Sequence, residues 1–188
     1  MARLVNLHIS IETLVHSAQQ NKATAQYALF KKFAPGMKAV AFRYVKDEHQ
    51  AEDLLQNAFI KCFKQLKHFE FKGSFEAWLR KIVVNECLDF LRTKKHIQFE
   101  DAQLESLQEF YNPLENLHAR EHLEKLIDQL PEGYKLVFMM YCIEGYKHDE
   151  IAELLNISIG TSKSQLFKAR KWLQNEFYNT NELQHGSK

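Results

Sequence analysis

The chain has 188 residues, with 25 Lys and Arg against 24 Asp and Glu, for a formal charge of +1. Its composition, 45% hydrophobic and 26% charged, excludes wholesale disorder, and 6 Gly with 3 Pro are too few for a turn-rich all-β chain. The longest apolar run, Leu136 to Ile143, is far short of a membrane span.

Helices therefore dominate the reading. Ser10 is placed to cap a short one. A second runs from about Ala23 to Val45, with Tyr27, Phe30, Phe33, Met37, Val40 and Phe42 near helical spacing. Pro35 falls inside it and is expected to kink or split it. Asp47 caps a third, whose apolar face is Ala51, Leu54, Leu55, Ala58, Phe59, Cys62, Phe63 and Leu66. The loop His68 to Ser74 follows. Ser74 then caps a fourth helix, Phe75 to about Lys95, burying Phe75, Trp78, Leu79, Ile82, Val83 and Phe90.

Gln98 to His118 breaks the pattern. It holds five acids (Glu100, Asp101, Glu105, Glu109 and Glu115), Pro113 and no Lys or Arg, and reads as an acidic linker. Helices resume from about Ala119 to Gln129. Another spans Glu132 to Ile143, with Pro131 at its first position and Gly145 ending it. Lys147 to Leu155, a turn at Asn156 and a last helix from Ile159 to about Phe177 complete the series. The tail from Asn179 is polar and expected to fray.

Charge is segregated along this order, so the near-zero total does not argue against nucleic acid. From Lys61 to His96 there are nine Lys and Arg and four acids; from Leu154 to Asn175 there are four bases and no acid. Modest basic faces suit a protein that needs help to hold DNA, because phosphate neutralisation supplies most non-specific affinity.

The stretch Asp149 to Arg170 has helix-turn-helix spacing. Small Ala152 permits close packing, and Asn156 tolerates the left-handed conformation its turn requires. Ile157 and Leu166 are expected to bury between the helices. Thr161, Ser162, Lys163, Ser164 and Gln165 open the second helix, where such motifs reach base edges, with Lys168 and Arg170 beyond them. An ordinary helical hairpin with a solvated basic face would use the same residues.

A second constellation lies upstream. Lys81, Asn85, Leu88 and Arg92 recur at i, i+4, i+7 and i+11, hence along one stripe, flanked by Arg80, Lys94 and Lys95. Before them, Phe69, Phe71, Lys72, Gly73 and Ser74 interleave aromatics with base, a mixture suited to stacking an unpaired base. The same aromatics, Trp78 above all, would also serve as core.

The two blocks together resemble the extracytoplasmic-function group of sigma-70 type bacterial sigma factors. One block is Asp47 to Lys61 with Phe75 to Arg92; the other is Leu130-Pro-Glu132 with Asp149 to Arg170. The resemblance covers roughly Ile11 to Phe177. It implies an all-α chain: a sigma2-like bundle at 10–97, a linker at 98–118, a sigma4-like helix-turn-helix domain at 119–178 and a tail at 179–188. It implies an alternative sigma factor that joins core RNA polymerase and reads the −10 and −35 elements of promoter DNA.

By that resemblance, Asp53, Gln56, Asn57 and Phe59 dock on the polymerase clamp helices. Phe71, Lys72, Gly73, Ser74, Arg80, Lys81, Asn85, Arg92 and Lys95 open and read the −10 element. The helix from Gly160 reads the −35 element, and the apolar helices before it receive the polymerase flap. The linker lies in the RNA exit path, and an anti-sigma partner is expected. Two departures stand out: many members carry Val where Ser162 stands and Arg where Gln165 stands. Gln can pair with adenine but cannot clamp phosphate as Arg does.

Other signals are weak. Cys62, Cys87 and Cys142 form no CxxC, and His118 with His122 lacks a third ligand, so no metal or cofactor is expected. No phosphate loop or catalytic triad order appears, and the chain is not expected to be an enzyme. No secretory leader or membrane insertion is expected, which places it in the cytoplasm. Rival classes are a free-standing helix-turn-helix regulator that works without polymerase and a helical interaction protein.

Overall fold

The computed structural model describes residues 10–94, 97, 99 and 117–185, with side chains placed up to residue 177 and, in the second span, from 122 onward. The described residues contain helices and no strand. Two compact units result, Met1–Lys94 and Lys95–Lys188.

In the first unit, α1 (Ile11–Gln19) begins at Ser10, whose hydroxyl accepts the Thr13 N–H at 3.1 Å. Asp47 does the same for α3 (Glu48–Gln65) through the Gln50 N–H, and Ser74 for α4 (Phe75–Lys94) through the Ala77 N–H. These three caps lie where short polar side chains precede apolar periodicity.

Helix α2 (Ala23–Val45) packs on α1, α3 and α4. It runs unbroken through Pro35, so the expected split does not occur. Lys31, Pro35 and Gly36 all face water, which replaces the backbone partner that proline removes. Phe33, Met37 and Val40, buried on either side of it, hold both halves against one core. That core adds Leu29, Leu54, Leu55, Phe59, Leu79, Val83, Val84 and Leu88. Each such side chain contributes about 1.5–3 kcal/mol by leaving water.

In the second unit, α8 (Ile159–His185) is the backbone against which α5 (Leu117–Gln129), α6 (Glu132–Phe138) and α7 (His148–Leu155) pack. Pro131 sits one residue earlier than expected, at the N-cap rather than in the first turn. The expected single helix to Ile143 is α6 followed by a π-helical segment, Met139–Ile143. Gly145, at φ +77°, lets the chain reverse after it. Helix α8 extends to His185, eight residues past the expected end, so the tail does not fray at Asn179. The acidic residues assigned to the linker lie outside the described residues.

Candidate nucleic-acid interface

The C-terminal helix pair is built by its turn. Helix α7 ends at Asn156, which adopts the left-handed conformation at φ 54°, ψ 49°, as its amide side chain permits. The Ile157 N–H returns to the Ala152 carbonyl at 3.0 Å, and Ser158 Oγ accepts the Thr161 N–H at 2.9 Å, capping α8. The Glu150 carboxylate accepts the Lys147 N–H at 2.9 Å, closing the start of α7.

Burial then sorts the residues that open α8. Lys163 is exposed, whereas Thr161, Ser162, Ser164 and Gln165 are buried, Ser162 and Gln165 completely. Sequence spacing puts all five near the groove; the structure turns four of them inward. Ser162 meets His148 Nδ1 at 2.9 Å, and Ser164 donates to the Thr161 carbonyl at 3.0 Å. The substitutions at 162 and 165 therefore stand inside the unit, and Gln165 presents neither a base contact nor a phosphate clamp. Leu166 is buried as expected, and Ile157 half-buried.

The charge of α8 comes from Lys163 and Lys171, both exposed, and from Lys168 and Arg170, both half-buried. Lys168 Nζ lies 5.7 Å from the Tyr134 ring centre, and the Arg170 guanidinium 5.8 Å from that of Tyr141. Arg170 also donates to Cys142 Sγ at 3.7 Å. The ring of Tyr141 stacks on His148 at 4.5 Å. Burial, with Lys163 and Arg170 nearby, holds the His148 pKa below its ordinary 6.5, against the opposing charge of Asp149. Spacing gave no sign of His148 or Tyr141; only the packing of the π-helical segment brings them together.

In the first unit, Lys81, Asn85 and Arg92 are exposed along α4, but Leu88, assigned to the same stripe, is core at 1% exposure. An i+7 step drifts round the helix far enough to reach its buried flank. Arg80 pairs with Glu76 at 3.6 Å and Arg92 with Asp89 at 3.3 Å. Lys95 lies outside the described residues. In the loop, Lys72 pairs with Glu70 at 2.5 Å, and Gly73 and Ser74 are exposed. Phe69 is buried, with its ring against those of Phe71, Phe75 and Trp78. Phe71 is half-buried at φ +57°.

On α3, Asp53, Gln56 and Asn57 are exposed, but Phe59 is core, packed edge-on to Phe30 at 4.8 Å. The apolar residue on that outer face is Ile60, 52% exposed, which the sequence reading missed. Asp53, Gln56, Asn57 and Ile60 follow i, i+3, i+4 and i+7, one stripe of the helix.

Two family models match in the order these surfaces occupy: sigma-70 region 2 over residues 29–97 and sigma-70 region 4 over 120–173. The chain belongs to the extracytoplasmic-function sigma factors of the sigma-70 family. It is 27% identical to the sigma-E factor of Haemophilus influenzae, over 88% of this chain and 94% of that one. It is 29% identical to the sigma factor SigE of Mycolicibacterium smegmatis, over 78% of this chain but only 59% of that relative. Its fold resembles that of CnrH, solved in complex with the cytosolic domain of CnrY, with TM-score 0.52, 20% identity, and 88% and 96% of the two chains covered.

This sigma factor directs promoter-specific transcription initiation and is not an enzyme. Its family implies RNA polymerase and DNA as partners. Among the described residues, no helix is long and apolar enough to cross a membrane, and no group of three or more His, Cys, Asp and Glu is placed to hold a metal ion.

Proposed function

We propose that the outward residues divide the work of initiation among three faces. The −35 element is met by Lys163, Lys168, Arg170 and Lys171 of α8; the −10 element by the loop 71–74 with Lys81, Asn85 and Arg92 of α4. The clamp helices of polymerase are met by Asp53, Gln56, Asn57 and Ile60 of α3, with 10–97 and 119–178 as the domains and 98–118 as their linker. The polymerase flap docks on the second domain. The observation that carries this reading is the sorting of α8, which packs Thr161, Ser162, Ser164 and Gln165 inside and leaves Lys163 and Lys171 exposed and Lys168 and Arg170 half-exposed. Cations without base-reading partners hold phosphate and fix register.

An anti-sigma protein is the fitting negative regulator, by likeness to CnrH, whose structure is a complex with CnrY. The cytoplasm, where polymerase and promoter meet, is the place of action.

The test is transcription by core polymerase reconstituted with this chain, on promoters recovered from a genomic library. Joint substitution of Lys81, Asn85 and Arg92 by Ala abolishes opening while core binding survives. Lys163→Ala weakens holoenzyme binding across sequences and lowers the salt slope by about one. Tight duplex binding without polymerase would favour a free-standing regulator instead.

A further inference from the structure

Three contacts from α1 converge on the loop after α3. Gln19 Nε2 donates to the carbonyls of Leu66 and Phe69, each at 3.1 Å. The His16 ring lies 4.3 Å from that of Phe71, the planes 32° apart. Phe69 supports the same Phe71 ring at 4.8 Å.

The backbone at Phe71 needs this support. Its φ of +57° lies in the left-handed region, which bulky side chains rarely occupy. Such a conformation persists only where the surroundings over-determine it. Here one amide fixes the two carbonyls just upstream, and two rings hold the side chain. Downstream, the loop is open: a Cβ built on Gly73 meets nothing within 4 Å. The loop is thus braced on its α1 side and accessible beyond it.

We propose that α1 preorganises this loop to capture a base unstacked from the −10 element, with His16 and Gln19 as positioning residues. The inference rests on reading the loop as a −10 contact. A base extruded from duplex finds an aromatic face already fixed, so less ordering accompanies capture. Neither residue is a base reader; each acts through Phe71.

The experiment follows promoter opening by the holoenzyme, using a 2-aminopurine reporter in the −10 element. His16→Ala and Gln19→Ala are each expected to slow opening about tenfold, the order for weakening one base–aromatic stack. His16→Phe, which keeps a ring against Phe71, restores the rate. Moving an abasic site through the −10 element removes the difference between wild type and His16→Ala at the captured position. Normal opening by both Ala variants overturns the inference, and so does a defect that survives every abasic position. Phe71→Ala is the separate control. If it opens the promoter normally, the −10 reading of the loop fails; if it is slow while the α1 variants are normal, only the brace fails.

Discussion

His148 Nδ1 and Ser162 Oγ lie 2.9 Å apart, joining the start of α7 to the first turn of α8. The His148 pKa is held down chiefly by burial, then by Lys163 and Arg170. Unfolding therefore takes up a proton once pH drops below the ordinary value of 6.5. The contribution is fully present above that value and is lost as pH falls toward the depressed folded value. Measured against the slower intrinsic exchange at low pH, the protection of α7 and α8 amides is expected to fall from pH 7 to pH 5.5, and to fall less in His148→Gln. An identical pH response in both proteins refutes the assignment.

Glu86 is buried in the first unit at 8% exposure, with its carboxylate against the Lys61 ammonium. That contact also raises the Lys61 pKa. The lysine is half exposed, so the pair itself is worth little. Removing the lysine strands a buried carboxylate, however. Lys61→Ala is expected to cost about 1–2 kcal/mol in urea unfolding, and Lys61→Ala with Glu86→Gln less than the single change. Equal costs for the two proteins would count against the pairing.

Phe59 and Ile60 are neighbours in sequence with opposite surroundings. Phe59→Ala removes a core ring and is expected to destabilise the first unit by about 3–5 kcal/mol. Ile60→Ala, Gln56→Ala and Asn57→Ala should stay within about 0.5 kcal/mol of wild type. Core polymerase affinity, measured on folded protein, separates them: it falls for the exposed trio if α3 docks as proposed.

The three thiols differ in access. Cys62 and Cys87 are buried and Cys142 exposed, and burial pushes the Cys62 thiol up to about 12. A maleimide at pH 7 is expected to label Cys142 rapidly and the other two only on unfolding. Fast labelling of all three contradicts the packing of α3 against α4.

Helix order, the caps at Ser10, Asp47 and Ser74 and the left-handed turn at Asn156 were all legible in the sequence, because each depends on a residue's own backbone preference or on local spacing. The family was legible through the resemblance of its two motif blocks. Pro35 shows the limit of local rules: its cost is real, but packing on both sides outweighs it. The boundaries at Pro131 and at the π-helical segment after Phe138 also differ from the local rule.

Which side chain faces outward was decided only by the folded structure. Spacing placed Leu88, Ser162, Ser164 and Gln165 on functional faces, and the resemblance placed Phe59 on one although spacing had it in the core; the fold buries them all. A helix step of 100° leaves residues near a face boundary undetermined until a neighbouring helix packs against one side. Contacts between distant segments, such as His16 with Phe71 and His148 with Tyr141, leave no periodic trace, because they depend on the angle between elements rather than on the order of residues. Near neutrality behaves the same way. The sequence shows that +1 averages basic and acidic segments; the structure shows that at the start of α8 Lys163 faces water while Thr161, Ser162, Ser164 and Gln165 are packed inside.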